Sequence, residues 1–155
     1  MRAPFRPTCH IGGHAAVRYG GATDTTGIYH AMAGNLVYKI LTMDEYGTFL
    51  RTGSFAGSPA DVADGFIHLS AADQVTGTRA RHFAGQDGLW VLAVDLSRLP
   101  PAAVRWEPAR NDQLFPHLYA PLPGTAVVGT CMLYESEDGT VLLPEPDISA
   151  EWTYH

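Results

Sequence analysis

The sequence predicts an α+β domain with mixed or antiparallel sheets and two early helices. Helical spacing of apolar residues is confined to two segments, near residues 43–50 and 73–83. Most of the strand-like segments follow, from about residue 89 onward. One of them, Leu89-Trp90-Val91-Leu92-Ala93-Val94, is apolar on both faces, as a strand covered on both sides must be.

In chain order, Leu36-Val37-Tyr38-Lys39-Ile40-Leu41 is rich in β-favouring residues and reads as the first strand. Thr42 and Glu45 have the spacing of a capping box, Met43, Tyr46, Phe49 and Leu50 recur at helical spacing, and Gly53 closes that helix. Gly57-Ser58-Pro59 with Asp61 and Asp64 reads as a loop into a short strand, Phe66 to Leu69. Ser70 to Asp73 looks like a second helix start, the helix running to about Phe83 with Val75, Arg79, His82 and Phe83 toward the core. Shorter strands are expected around residues 104–107, 118–120, 126–134 and 140–143. Residues 1–34 read as an N-terminal extension, 35–143 as the domain and 144–155 as an acidic tail, with Met32 an alternative translation start.

Length and composition bound the function. A chain of 155 residues with 46% apolar and 17% charged content suits one domain with one sizeable core. No apolar run is long enough to span a bilayer, and no apolar segment follows Arg2 and Arg6 as a secretory signal requires. Cys9 and Cys131 form no CxxC pair, which argues against a disulfide framework or a structural metal site and for a reducing compartment, the cytoplasm. The net charge of −6 disfavours non-specific nucleic-acid binding and leaves room for a small anionic ligand in a local basic pocket.

The residues that carry chemistry cluster in two segments. Side chains alternate along Gly65-Phe66-Ile67-His68-Leu69-Ser70, so Phe66, His68 and Ser70 share one face and Ile67 and Leu69 belong to the core. His68 is either a group for proton transfer or ribose binding or a structural histidine; Ser70 either joins it or caps the helix. In Phe115-Pro116-His117-Leu118-Tyr119, His117 and Tyr119 share a face, and Pro116 indicates a strand start or an edge. Lys39, the only lysine, either pairs with an anion, serves as a depressed-pKa amine, or snorkels from an exposed sheet face. Glu107 alternates with Arg105 and either stabilises a cation in a cleft or pairs with Arg105 or Arg110. Asp44, Asp61, Asp64 and Asp73 fall at caps and turns. No GxGxxG, HExxH or GxSxG element occurs, and Cys131 reads as buried and inert.

These blocks together resemble a bacterial family, domain of unknown function 952. The similarity lies in Val37-Tyr38-Lys39-Ile40, in residues 65–70, in Gln74, in the strand from Leu89 to Asp95 and in residues 115–119. The resemblance implies the fold of ADP-ribosyltransferases, and the Ile-His-Leu-Ser block is similar to a segment of RNA 2′-phosphotransferases, which use NAD. What it implies for function is a cleft for NAD or a related nucleotide. His68 and Ser70 would orient the ribose there, and Glu107 or His117 would support charge or proton transfer. Tyr119 would stack on the ring, and Tyr38, Lys39, Phe66 and Gln74 would line the site. Two alternatives stand beside it: His/Lys acid–base chemistry on another small molecule, and a non-catalytic ligand-binding module. The latter draws on Lys39, which stands where family members often carry histidine.

Overall fold

The computed structural model describes residues 35–146 and the strand pair partner Cys9–His10. The expectations for the rest of residues 1–34, the Met32 start among them, and for 147–155 lie outside the described residues. The fold is α+β, and every strand pairing among the described residues is antiparallel.

Two three-stranded sheets organise the chain. The first is built from β2 (Leu36–Leu41), β5 (Trp90–Asp95) and β9 (Val127–Met132), with β5 in the middle as its two apolar faces require. Val37, Leu41, Leu92 and Val94 enter one apolar cluster with Phe49, Ile67, Leu69, Leu118 and Leu122. Tyr38, Ile40, Val91 and Ala93 enter the other, with Val75, Val128 and Val141. Alternation along each strand therefore feeds two separate layers of core.

Helix α1 (Met43–Thr52) starts at the expected capping box, Thr42 and Glu45 each satisfying the other's backbone N–H, and stops at Gly53, whose φ of 76° is left-handed. It buries Tyr46 and Phe49; the Tyr46 ring stacks on Trp90 with centroids 4.0 Å apart.

The expected loop at residues 58–64 is instead helix α2 (Pro59–Asp64). Ser58 and Asp61 form a second capping box, Pro59 occupies the first helical turn and Gly65 the left-handed C-cap. Residues that punctuate loops thus serve here as helix start and stop signals.

The second sheet has the order β4 (Ile67–His68), β7 (Leu114–Leu118), β6 (Val104–Pro108). β7 begins four residues earlier than expected and is the central strand, so Pro116 marks neither a start nor an edge. The reason is local: the Pro116 carbonyl accepts from the Leu69 N–H at 3.0 Å just past the end of β4, so the missing N–H of the proline falls beyond the β4 ladder.

Ser70 does not cap a helix. It forms an isolated bridge with Tyr38, their backbones exchanging N–H···O bonds of 2.7 and 2.9 Å, and this bridge joins the two sheets. Helix α3 (Val75–His82) starts later, without a side-chain cap, and buries only Val75; His82 is exposed, not on the core face. Between them, β3 (Ser54–Phe55) pairs with β8 (Leu122–Pro123). The strand expected at 140–143 reduces to a single bridge, Glu135 to Val141, because a turn closes at Ser136–Thr140. β10 (Leu143–Pro144) follows and pairs with β1 (Cys9–His10). No helix among the described residues is long and apolar enough to cross a membrane.

Candidate functional site

Register places the two histidines together. In the β4–β7 ladder His68 lies directly opposite His117, and their ring centroids are 5.6 Å apart. Phe66 packs into the same group, its ring stacked on His117 at 4.0 Å and tilted against His68 at 4.7 Å. Tyr119 completes it, 5.2 Å from Phe66.

Each histidine is held by its own carboxylate. Asp61, 2% exposed, is the hub of the first arm. Its Oδ1 lies 2.6 Å from His68 Nδ1 and accepts from the His68 backbone N–H at 3.1 Å. Its Oδ2 accepts from the Ser58 N–H at 2.9 Å and faces Lys39 Nζ at 2.9 Å. Burial alone would raise the Asp61 carboxyl, but the His68 hydrogen bond, the Lys39 charge and the Ser58 amide outweigh it and hold the group below its ordinary value. Helix α2 exists to deliver this residue: the same side chain caps the helix and anchors the imidazole.

In the second arm, Glu107 on β6 accepts from the Tyr119 hydroxyl at 2.6 Å and sits 2.9 Å from His117 Nδ1. The Tyr119 bond, then the His117 bond, lower the Glu107 carboxyl, and the Tyr119 phenol is raised by the same interaction. Glu107 therefore pairs with neither Arg105 nor Arg110. Arg105 lies over the Tyr119 ring and Arg110 over Phe115.

The two arms differ in access. The His117 side chain is buried beneath Phe66, whereas that of His68 is 38% exposed, with Nε2 2.9 Å from the solvent-facing Asp64. Lys39 does not snorkel to an exposed face: its side chain is 8% exposed, ion-paired with Asp61, and 5.7 Å from the Phe55 ring centroid. A lysine enclosed in this way needs a fixed counter-charge, and Asp61 supplies it.

His68, His117, Glu107, Phe66 and Tyr119 thus meet at one place, with Lys39 attached through Asp61. Three expected site residues lie elsewhere. Tyr38 is buried in the second apolar cluster and touches Ser70 through its backbone. The Ser70 hydroxyl bonds Thr78 Oγ1 at 2.9 Å on α3. Gln74 ties the start of that helix to β7, donating to the Leu114 carbonyl at 2.8 Å and accepting from the Ala71 N–H. The residue missed in the sequence is Asp61. Two signals pointed to it: the Ser58-to-Asp61 spacing of a capping box, and a lysine in an apolar strand that required an acid. Among the described residues, no group of three or more His, Cys, Asp or Glu is placed to hold a metal ion.

Fold and site together define an α+β domain with antiparallel sheets whose polar centre is a pair of carboxylate-bound histidines. The family described as "Protein of unknown function (DUF952)" matches residues 40–130, and the chain belongs to it. The crystal structure of protein CC0527 from Caulobacter crescentus is similar at 42% identity and a TM-score of 0.63, covering 68% of this chain and 92% of that one. The solution NMR structure of the same protein is similar at 43% identity and a TM-score of 0.60, covering 69% and 90%. No curated protein matches the chain.

Proposed function

We propose that the protein binds a small molecule at His68 and works on it by general acid–base chemistry. The observation that carries this is the 2.6 Å contact between buried Asp61 and the partly exposed His68 ring. With Nδ1–H donated to Asp61, the ring is held in a fixed orientation and Nε2 is left as the nitrogen through which it can exchange a proton with a ligand. Asp64 occupies that position in the free protein, but it is 55% exposed, and a surface contact of this kind is weak enough for a ligand to displace. Lys39 acts through Asp61 in this reading: it holds the carboxylate ionised and in place, and a paired ammonium is not a Schiff-base nucleophile.

NAD or a related nucleotide is the ligand class that the Gly65–Ser70 resemblance favours, with an ADP-ribosyltransferase-like fold and transfer of an ADP-ribosyl group as its specific form. Tyr119, packed against Phe66, is an exposed aromatic on which a planar ring can stack, and Glu107, on the His117 arm, is the carboxylate that would support a developing ribosyl cation.

Thermal unfolding of wild type and His68→Ala with NAD, ADP-ribose and nicotinamide tests the site. A ligand at a hundred times its Kd stabilises by about 2.7 kcal/mol, and the shift should vanish in the variant. Release of nicotinamide by the wild type alone would then identify turnover. A shift without turnover identifies a binding module, and a shift that survives His68→Ala removes His68 from the site.

A further inference from the structure

We propose that Arg110 is an anion-binding residue for the ligand's phosphate or pyrophosphate group, held in position by Gly77. This rests on the reading that His68 marks a ligand site, and it adds the class of group recognised beside it.

Arg110 belongs to the turn between β6 and β7, where Asn111 and Asp112 both take left-handed backbone angles, φ 55° and 59°. That turn brings the guanidinium back over the Phe115 ring, 5.2 Å from its centroid. Arg79 and Arg98 spend their guanidinium groups on carboxylates and carbonyls; Arg110, like Arg81 and Arg105, makes no hydrogen bond or ion pair among the described residues, but Arg110 alone of the three packs against a helix glycine. A guanidinium that is packed yet unpaired keeps its fork of N–H donors for an external acceptor, and phosphate fits that fork in a bidentate manner.

Helix α3 makes room for it. Gly77 sits inside an eight-residue helix, where glycine weakens the helix relative to alanine. A Cβ there would lie 2.9 Å from Arg110 Nη2 and 3.4 Å from Cζ. The absent side chain is the space the guanidinium fills, which gives that glycine a physical reason.

The position suits the site. Phe115 and His117 lie two residues apart on one face of β7, roughly 7 Å, so the guanidinium stands on the order of 10 Å from the histidine pair. That span matches a phosphorylated small molecule with its reacting atom at His68. Other cations gather on this side. His82, though exposed, is lowered by partial desolvation and then by the charges of Arg81, Arg110, His68 and Lys39, in a chain whose net charge is −6.

The test titrates the full chain with inorganic pyrophosphate and, separately, with ADP-ribose. Binding is followed by melting temperature and by the Arg110 Nε–H resonance. Wild type, Arg110→Gln, Gly77→Ala and His68→Ala are compared. The expected result is a Kd for pyrophosphate raised ten-fold or more in Arg110→Gln and similarly in Gly77→Ala, whose melting temperature does not fall. His68→Ala should keep pyrophosphate within about three-fold. Unchanged pyrophosphate affinity in Arg110→Gln, or no binding by wild type, overturns the assignment. If Arg110→Gln weakens both ligands while His68→Ala weakens neither, the anion site stands and the acid–base reading falls. If His68→Ala abolishes ADP-ribose binding and Arg110→Gln changes nothing, the reverse holds.

Discussion

Replacing Lys39 with methionine is the sharpest single test of how the site is held. The substitution keeps most of the buried stem and removes the charge 2.9 Å from Asp61 Oδ2. Asp61 stays 2% exposed and keeps three donors, from Ser58 N, His68 N and His68 Nδ1. Breaking a buried pair by removing one partner costs about 3–5 kcal/mol, and the surviving donors put this case near the lower end, about 3 kcal/mol. With a urea m-value on the order of 1–2 kcal/mol per molar, the midpoint should fall by roughly 1.5–3 M. The pH dependence has a definite sign. Asp61 is depressed below its ordinary 3.8, so its contribution is fully present above that pH and is lost as pH falls through the lower folded value. The gap between wild type and Lys39→Met should therefore narrow below pH 3.8. A double-mutant cycle with Asp61→Asn should give a coupling of at least about 1 kcal/mol. A loss under about 1 kcal/mol at pH 7, with no coupling, would refute the view that this pair anchors His68.

Three further outcomes are expected. Asp64→Ala frees His68 Nε2 from its surface partner and should tighten any ligand that depends on His68, measured as a larger ligand-induced melting shift; a weaker shift means that Asp64 belongs to the binding surface. Glu107→Gln removes the carboxylate charge that raises the Tyr119 phenol, so an ultraviolet difference titration should find that phenol returning toward 10.0. Gly77→Ala should raise stability by about 0.5–1 kcal/mol through helix propensity, because the only clash is with the far end of a flexible arginine, and a net loss in urea unfolding would show that the guanidinium cannot move.

What the sequence made legible was local or strongly periodic. The Thr42–Glu45 box lies within one helical turn, and the two-faced apolar strand from Leu89 admits only a covered position, so both were readable. Alternation correctly put Phe66 with His68, and His117 with Tyr119, because a period of two needs no tertiary information. It could not place Ser70, since one bridge to Tyr38 turned that residue toward α3 instead. Helix α2 was misread because serine, proline and glycine mark both loops and helix ends, and only the tertiary role of Asp61 separates the two. The Lys39–Asp61 and Glu107–His117 pairs join residues 22 and 10 positions apart, on different elements, and no periodicity reports such contacts.

The Tyr38–Ser70 bridge has a mechanical consequence. Besides the apolar cluster they share, the two sheets are stitched together at this point by a short seam of two N–H···O hydrogen bonds. The Lys39–Asp61 pair is a second fastener across it, since Lys39 belongs to one sheet and Asp61 to the helix that leads directly into the other. A ligand that draws the His68 ring away from Asp61 alters that fastener as well, so contact at the histidine and the join between the sheets are coupled.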